Sequence, residues 1–355
     1  MVNQENFRLC QEVNLRVVKR LLIFNVPART SRDTIYHKFS WYLLLESDDR
    51  KICGIGECAP LSGLSVESVS QIESDLNLIT SGKISFNVFE QLISTNSSLK
   101  FGIETACNDF RNGGLRIVFP GYESALIDIN GLVWMSDVDT MMAEAERKIK
   151  EGFGTIKFKV GALKFDDELE MLTQVRLNFP QIVLRLDANG AFADHDVMSK
   201  LDKLSKLEIH SIEQPVHPSN IELIKSVVKD SPIPVALDEQ LLGVHNIHLK
   251  YELLNEIKPN YIILKPTLHG GLSGCDEWIQ IAENVGIGWW TTSALESNIG
   301  LNAIAQWTAT KQLRLPQGLG TGGLFENNLP SPLFIHEGKL GWNKKSEWNL
   351  NSILE

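Results

Sequence analysis

The sequence predicts an α/β protein in which a (β/α) barrel follows a smaller α+β region. From about residue 126 onward, short apolar strands alternate with amphipathic helical segments, and eight such strands fit into roughly 200 residues. The first 120 or so residues instead carry strands followed by helices, without alternation. Charged residues also recur at the ends of successive candidate strands. A doubly wound open sheet is the alternative, but eight regular units favour a closed barrel.

The N-terminal region has its own set of elements. β-rich runs over Phe7 to Phe24 and Ile35 to Glu46 predict strands, and the segment SDDR predicts a hairpin turn. The stretches VESVSQIESDLNLITSG and FGIETACNDFRNGG have helical patterns, and the glycine pair that ends the second suits a helix terminus. We therefore predict an α+β domain over residues 1–120, with the C-terminal segment 335–355 as a candidate to pack on it.

The candidate barrel strands lie within residues 121–334. Each is a short apolar run that is followed by a helical pattern. In chain order they are LIDINGLVW, TIKFKVG, IVLRLDANG, HSIEQPV, IPVALDEQ, NYIILKPT, GWWTTSALES and QGLGTGGLF. No low-complexity linker separates this region from the N-terminal one.

The composition argues against several classes of protein. The 355 residues are 43% hydrophobic and 22% charged, which is ordinary for a soluble globular protein. A net charge of −10, without any Lys/Arg block, argues against a partner that is a nucleic acid or an anionic membrane. Five cysteines without a CxxC pair indicate reduced thiols, and neither a signal peptide nor a membrane span is evident. We expect a cytoplasmic protein and leave its oligomeric state open.

Charged side chains occupy the C-terminal ends of five consecutive candidate strands, where barrel enzymes place their chemistry. A lysine pair on the second strand is followed, at intervals of 25 to 28 residues, by one charged residue on each of the next four strands. In chain order these residues are Lys157, Lys159, Asp187, Glu213, Asp238 and Lys265. This regularity is the strongest functional signal in the sequence.

The three carboxylates suggest a metal site. Asp187, Glu213 and Asp238 would repel one another in a barrel mouth, and a hard divalent cation would remove that repulsion. Ligands that offer only oxygen atoms select Mg²⁺, or Mn²⁺, over zinc. For one carboxylate alone, the alternative is that it caps the helix after its strand.

The lysines suggest a proton-transfer site beside that metal. Neighbouring positive charge is expected to lower the pKa of a lysine towards a value useful for abstracting a proton. Lys159 is closer to its strand end, and Lys265 lies across the barrel, so the two could face opposite sides of one substrate. This layout suits removal of a proton α to a carboxylate, with the metal stabilising the enediolate. For a single lysine, the alternative is a surface residue or an ion-pair partner.

Weaker signals and other classes of function are also open. The loops SALESNIG and GLGTGG could offer backbone N–H groups to an anionic substrate, although tight turns explain the glycines as well. Glu296 is interpreted as a network residue and His269 as a polar loop residue. A Schiff-base aldolase would use Lys265 as its nucleophile, but it gives no reason for three metal-spaced carboxylates. A non-catalytic barrel would be expected to have lost some of the charged positions.

These motifs together resemble the enolase superfamily, and within it the muconate-lactonizing subgroup. The resemblance is carried by KFK on the second strand, acidic residues that end the next three strands, and lysine on the sixth. It implies a (β/α)7β barrel of the TIM type that uses Mg²⁺. It also implies that the N-terminal α+β domain caps the barrel mouth, with loops at about NVPARTSRD and GECAPLSG.

The resemblance further implies a reaction and the roles of residues. INGLVWM, ILKPTLHGGL and GLGTGGLF are similar to members that dehydrate a succinyl-hydroxycyclohexadiene carboxylate in menaquinone biosynthesis, so the expected partner is a small carboxylate. Lys159 would remove the proton and return it to the departing hydroxyl, Lys265 would stabilise the enediolate, and Lys157 would assist. The implied metal ligands are Asp187, Glu213 and Asp238. The implied positions around metal and substrate are Asn189, Glu239, Ser293 and Gly320.

Other reactions of the same superfamily remain alternatives. Two lysines on opposite faces would serve an N-acylamino-acid racemase or a dipeptide epimerase equally well. Dipeptide epimerases of the family typically carry an acidic DxD motif after the eighth strand, which GLGTGG lacks. Lactonisation of muconate is a third possibility.

Overall fold

A computed structural model describes residues 2–29 and 34–355 of the chain. Its N-terminal part is an antiparallel sheet, in the order β1-β2-β3, that packs against helices. The strands are β1 (Asn14–Arg29), β2 (Thr34–Glu46) and β3 (Cys53–Cys58). The helices are α1 (Val2–Glu12), α2 (Val69–Thr80), α3 (Phe86–Thr95) and α4 (Ser97–Arg111).

The central strand β2 is buried on both faces. Trp41, Leu43 and Leu45 pack with the helices in one apolar cluster, whereas Tyr42 and Leu44 belong to another cluster on the opposite face. Helix α4 lies so close to β3 that a Cβ atom on Gly56 would be 1.9 Å from the carbonyl oxygen of Gly102. Glycine at position 56 is therefore required by packing.

The larger part of the described chain is a seven-stranded parallel sheet in the order β11-β10-β9-β8-β7-β6-β5. After β4 (Ile127–Asp128), its strands are β5 (Gly131–Val133), β6 (Thr155–Lys159), β7 (Val183–Asp187), β8 (Ser211–Glu213), β9 (Val235–Leu237), β10 (Tyr261–Leu264) and β11 (Gly288–Thr291). The helices between and after them are α5 (Val138–Lys150), α6 (Phe165–Asn178), α7 (Val197–Ser205), α8 (Ile221–Asp230), α9 (Ile247–Ile257), α10 (Gly271–Asn284) and α11 (Asn298–Ala309), and a 3₁₀ turn spans Glu239–Leu241.

The two edges of the parallel sheet are joined by residues 317 and 318. Gln317 forms a parallel bridge with Ile129, and Gly318 forms one with Thr292. The amide of Gln317 donates to the carbonyl oxygen of Asp128 at 2.8 Å, and that of Gly318 donates to the carbonyl oxygen of Thr291 at 2.7 Å. The predicted α/β barrel with an N-terminal α+β region is confirmed, but the eighth strand is reduced to these bridges.

Three local predictions differ from the structure. Residues 7–12 belong to α1 rather than to a strand, because Phe7 packs its ring at 5.6 Å from Phe86 and 5.2 Å from Phe89. Helix α3 was not predicted. The segment LIDINGLVW forms two strands, of which β4 pairs antiparallel with the C-terminal hairpin and β5 enters the barrel.

The C-terminal segment returns to the N-terminal sheet. Strands β12 (Leu333–His336) and β13 (Lys339–Trp342) form the hairpin, and α12 (Asn351–Leu354) follows. Arg16 on β1 donates to the carbonyl oxygens of Ile353 and Leu354 at 3.4 and 3.2 Å. None of the described helices is long and apolar enough to span a membrane.

Candidate active site

A cavity lies at the C-terminal ends of the barrel strands, beside the loop that follows β3. That loop contributes Leu61, Ser62 and Gly63, which belong to the predicted capping loop GECAPLSG. In the other predicted loop, NVPARTSRD, residues 25–29 belong to β1 and residues 30–33 lie outside the described residues. The barrel contributes the polar and charged residues Asn130, Lys157, Lys159, Asn189, Lys265, Thr292, Ser293 and Thr321, and also Gly320.

On the β6 side of the cavity, two lysines share one carboxylate oxygen. The Nζ atoms of Lys157 and Lys159 lie 2.8 and 2.6 Å from Oδ2 of Asp187. Lys157 also lies 2.6 Å from Oε2 of Glu213, and Lys159 donates to Oδ1 of Asn189 at 2.8 Å. This arrangement follows from strand register, because Lys159 is directly paired with Asp187 and Asp187 with Glu213.

On the β10 side, a single lysine pairs with a single carboxylate. Lys265 forms an ion pair with Oδ2 of Asp238. Its backbone amide donates to Nδ1 of His269 at 3.0 Å, so that ring nitrogen must be unprotonated. Burial lowers the pKa of His269 to about 3, which keeps the imidazole neutral. The prediction that His269 is a polar loop residue therefore misses its contact with the backbone of Lys265.

The carboxylates respond differently to their buried positions. Burial, reinforced by the charge of Asp187, raises the pKa of Glu213 to about 8. Burial also favours a neutral Asp187, but Lys157 and Lys159 outweigh it and hold the pKa of Asp187 well below its ordinary value. Lys265 likewise outweighs burial at Asp238 and lowers its pKa.

The lysine pKa values differ from the expectation based on sequence. Burial acts to lower the pKa of Lys157, but Asp187 and Glu213 outweigh it and raise the pKa. The same balance, with Asp238 as the main partner, raises the pKa of Lys265. The expected lowering does not occur at these two lysines because their nearest charges are carboxylates rather than cations.

The carboxylates have the chemistry of a site for a hard divalent cation. Glu213 is paired in register with Ala236, so Asp238 projects from the same face of its strand, one pleat further along. Oε1 of Glu213 is buried and has no hydrogen-bond partner among the described residues. Within that part of the chain, no three His, Cys, Asp or Glu side chains are already grouped closely enough to hold an ion. The lysines instead form ion pairs with one oxygen of each carboxylate. Carboxylate oxygens of this kind would suit Mg²⁺ as ligands.

The remaining predicted positions surround the same cavity. Asn189 has a left-handed backbone (φ 46°), and its Nδ2 donates to Oε1 of Glu239 at 2.9 Å. The hydroxyl groups of Ser293 and Thr321 form a hydrogen bond with each other at 2.6 Å, and both residues line the cavity beside Gly320. Of the predicted site residues, six line the cavity: Lys157, Lys159, Asn189, Lys265, Ser293 and Gly320. Asp187, Glu213 and Asp238 contact the lysines beneath it, and Glu239 contacts Asn189.

Several site residues were missed by the sequence reasoning. Asn130 lines the cavity, and its Oδ1 accepts a hydrogen bond from the buried Arg185 at 3.3 Å. Trp134 and Thr321 also line the cavity. Asn130 and Thr321 lie in the predicted first and last strand segments, so their positions near strand ends were an available signal.

Comparison with known proteins identifies the family. Residues 140–342 match the enolase C-terminal domain-like family. The chain belongs to the enolase superfamily. It is 38% identical to o-succinylbenzoate synthase from Desulfotalea psychrophila, over 90% of this chain and 96% of that protein. The crystal structure of MenC from that organism has a TM-score of 0.81 at 35% identity and covers 93% of this chain and 99% of that one. These similarities place the chain in the muconate-lactonizing subgroup.

Epimerases of the same superfamily are also similar to the chain. L-Ala-D/L-Glu epimerase from Bacillus subtilis is 26% identical over 81% of each protein. A dipeptide epimerase from Enterococcus faecalis, solved with Mg and the dipeptide L-Leu-L-Tyr, has a TM-score of 0.80 at 21% identity and covers 95% of this chain and 98% of that one. Members of this superfamily therefore bind Mg²⁺ and small carboxylate substrates.

Proposed function

We propose that this chain is an o-succinylbenzoate synthase, a lyase that dehydrates 2-succinyl-6-hydroxy-2,4-cyclohexadiene-1-carboxylate to o-succinylbenzoate. The observation that carries the proposal is 38% identity over almost the full length of a curated o-succinylbenzoate synthase. The cavity supports it, because lysines approach from β6 and β10 and three carboxylates lie at the ends of the intervening strands.

In the proposed reaction, Lys159 acts first as a base and then as an acid. Its neutral amine takes the proton α to the substrate carboxylate, and the electron pair of the broken C–H bond moves into the carboxylate to give an enediolate. That pair then returns to form the ring double bond while the C–O bond of the adjacent hydroxyl breaks. The Lys159 ammonium gives its proton to the departing oxygen, so water leaves and Lys159 is again a neutral amine.

The other charged residues would stabilise and orient the intermediate. Lys265, fixed on Asp238, would hold a positive charge on the face opposite Lys159. Lys157 would hold the substrate carboxylate. Asp187, Glu213 and Asp238 would bind Mg²⁺, which when bound would supply positive charge beside that carboxylate.

The apolar part of the cavity fits the remainder of the proposed substrate. Leu61 and Leu64 from the loop after β3 line it together with Trp134 and Leu295. Such a lining would pack against the cyclohexadiene ring and the methylene groups of the succinyl chain, and it would limit access of water to the enediolate. Of the described residues that line the cavity, none is Asp or Glu. This composition favours an anionic substrate over a dipeptide with a free ammonium group.

A racemase is the second candidate, because lysines approach the cavity from opposite strands. Lys159 and Lys265 would each exchange the α-proton on one face of an N-acylamino acid. The similarity to epimerases supports this candidate, although at lower identity. An aldolase is less well supported, because the raised pKa of Lys265 keeps its amine protonated and so poorly nucleophilic.

The decisive experiment incubates the purified protein with Mg²⁺ and the cyclohexadiene substrate and follows the absorbance of o-succinylbenzoate. Turnover is expected, with Lys159→Ala prepared in parallel as the inactive control. No turnover with Mg²⁺ or Mn²⁺ would contradict the proposal. A second assay uses an N-succinylamino acid in D₂O, where deuterium uptake with inversion, and no dehydration in the first assay, would make the racemase the better assignment. Borohydride trapping with substrate would reveal a Schiff base on Lys265.

A further inference from the structure

A buried carboxylate joins the N-terminal sheet to the barrel mouth. Glu57 on β3 is fully buried, and its Oε1 accepts hydrogen bonds from the hydroxyl of Ser40 (2.7 Å) and the amide of Ser297 (2.9 Å). Its Oε2 accepts from the hydroxyl of Ser297 (2.6 Å) and the amide of Gly300 (2.8 Å). A single side chain of the N-terminal part thus fixes the start of α11, the helix that follows the last regular barrel strand.

A buried lysine lies beside this carboxylate. Lys38 on β2 is 5% exposed, and its Nζ donates to the carbonyl oxygens of Ala59 (3.1 Å) and Ala294 (3.4 Å). Glu296 and Glu57 are the carboxylates that interact most strongly with its charge. Lys38 therefore ties the loop after β3 to the loop after β11, and both loops line the cavity.

The loop after β11 is strained at the position that faces the cavity. Leu295 has φ of 63°, in the left-handed region that side chains such as leucine rarely occupy. Such a conformation persists only where surrounding contacts over-determine it. Here Ser293 Oγ accepts from the amide of Leu295 at 3.2 Å, and Oε2 of Glu296 accepts from the amide of Ala294 at 2.8 Å. Both Ser293 and Leu295 line the cavity.

The same network reaches the turn that carries the β10 lysine. Oε1 of Glu296 accepts a hydrogen bond from the hydroxyl of Thr267, which is fully buried. Thr267 lies in the turn in which the amides of Leu268 and His269 donate to the carbonyl oxygen of Lys265, at 2.8 and 2.9 Å. A continuous chain of buried contacts therefore runs from the N-terminal sheet to the backbone of Lys265.

We infer that Glu57 is a positioning residue for catalysis. By holding the N-terminal sheet against the start of α11, it keeps the Ser293–Leu295 loop and Lys265 in their working positions. This inference rests on the proposed function only in treating Lys265 and the loop as parts of the working site. A residue that merely held the two parts together would change stability but leave the turnover of the folded protein intact. A positioning residue would also change kcat, because small displacements of a charged group are costly to catalysis.

The test compares Glu57→Gln with Asp109→Asn. Asp109 is an equally buried carboxylate that binds the neighbouring amide of β3, at Ile55 (2.8 Å), and also binds Arg116 (2.9 Å) and Ile117 (3.1 Å). Its contacts stay within residues 55–117, whereas the side-chain amide introduced by Glu57→Gln would place N–H donors against the donors of Ser297 and Gly300. Both variants are expected to lower the thermal midpoint.

Turnover is measured well below both midpoints. For Glu57→Gln we expect kcat to fall about tenfold with KM changed by less than about threefold, and for Asp109→Asn we expect kcat near that of the wild type. The conservative variant Glu57→Asp should restore most of the lost kcat. Equal losses of kcat in Glu57→Gln and Asp109→Asn, or no loss in either, would overturn the inference.

Hydrogen–deuterium exchange provides a readout that does not depend on the reaction. Glu57→Gln should accelerate amide exchange in residues 293–300 and also in residues 265–269, whereas Asp109→Asn should accelerate it only around residues 53–117. Unchanged exchange of residues 265–269 in Glu57→Gln would overturn the coupling. A wild-type protein without synthase activity would remove the proposed function while leaving this exchange experiment able to decide the coupling.

Discussion

The two sides of the barrel mouth hold their lysines in different ways. On the β6 side, Lys157 and Lys159 share Oδ2 of Asp187, so loss of a proton from Lys159 would leave that carboxylate paired with Lys157. On the β10 side, Lys265 is the one lysine that pairs with Asp238 among the described residues. Deprotonation of Lys265 would therefore leave a buried carboxylate without its counter-charge, which is costly. The difference supports the proposal that proton transfer takes place on the β6 side while Lys265 on the β10 side keeps its positive charge.

The largest expected effect is the loss of the proposed base. Lys159→Ala should lower kcat by about 10³ to 10⁴, because the carboxylates beside Lys157 and Lys265 raise the pKa of these two amines and keep them from acting as the base. Lys164→Ala, which removes an exposed lysine at the start of α6, should leave kcat unchanged. Both are measured by o-succinylbenzoate absorbance at saturating substrate. A Lys159→Ala enzyme with near wild-type kcat would show that the base lies elsewhere.

Removal of the lysine on the β10 side should cost less activity than removal of Lys159 but should destabilise the folded protein. Lys265→Ala is expected to lower kcat by about 10² to 10³, less than Lys159→Ala, because it removes charge stabilisation rather than the base. It should, however, lower the free energy of unfolding by about 3 to 5 kcal/mol, since it leaves Asp238 unpaired. Urea denaturation measures this loss. Lys250→Met, which removes a buried lysine paired with Glu277 on α10, is the control that should lose stability and keep its kcat.

The charged residues of both sides could be predicted from the sequence because a parallel barrel converts regular spacing into proximity. Lys159, Asp187 and Glu213 are separated by one βα unit each, and the structure pairs them in direct register. The charged side chain at each strand end could therefore be predicted from an apolar run that is followed by a charged residue. The same logic predicted the two-part fold from the change in rhythm near residue 126.

Contacts between distant segments could not be predicted in this way. Glu57 and Ser297 are 240 positions apart, and no local pattern links a strand of the N-terminal sheet to the start of α11. The closing residues Gln317 and Gly318 were predicted as a full strand, but the glycine-rich segment provides only bridges. Helix α1 was missed because its apolar residues, including Phe7, were read as the start of the following strand.

Affinity for a divalent cation should depend on the three carboxylates at the strand ends, Asp187, Glu213 and Asp238. Glu213→Gln is expected to weaken binding of Mn²⁺ on the order of 100-fold, because it removes an oxygen ligand and leaves an amide in its place. Titration followed by electron paramagnetic resonance measures this affinity without any turnover. The matched control is Glu168→Gln, a buried glutamate whose Oε1 accepts from the amides of Gly161 and Leu163 in the loop after β6 and which contacts none of the three proposed ligands. Equal affinities for Mn²⁺ in both variants would exclude Glu213 as a ligand.

The neutral histidine on the β10 side should make stability depend on pH. Its pKa is about 3 in the folded protein and 6.5 when exposed, so the unfolded chain binds the additional proton as the pH falls below 6.5. The neutral His269 ring therefore makes its full contribution to the free energy of unfolding above pH 6.5. This contribution decreases progressively towards pH 3, and the decrease is about 2 kcal/mol at pH 5. In His269→Asn, Oδ1 can still accept from the amide of Lys265. The wild type should therefore lose about 2 kcal/mol more than His269→Asn between pH 7 and pH 5 in urea denaturation.

The smallest expected effect concerns the hydroxyl pair between the two sides. Ser293→Ala removes the bond to Thr321 and the acceptor for the amide of Leu295, but it leaves every charged group in place. Since one neutral hydrogen bond contributes about 0.5 to 1.5 kcal/mol, kcat/KM should fall by about three- to tenfold, no more than in Glu57→Gln. Ser205→Ala, at the end of α7, is the control with unchanged kinetics. A large fall in kcat for Ser293→Ala would instead mean that this hydroxyl takes part in moving the proton, and the division of roles between β6 and β10 would then be incomplete.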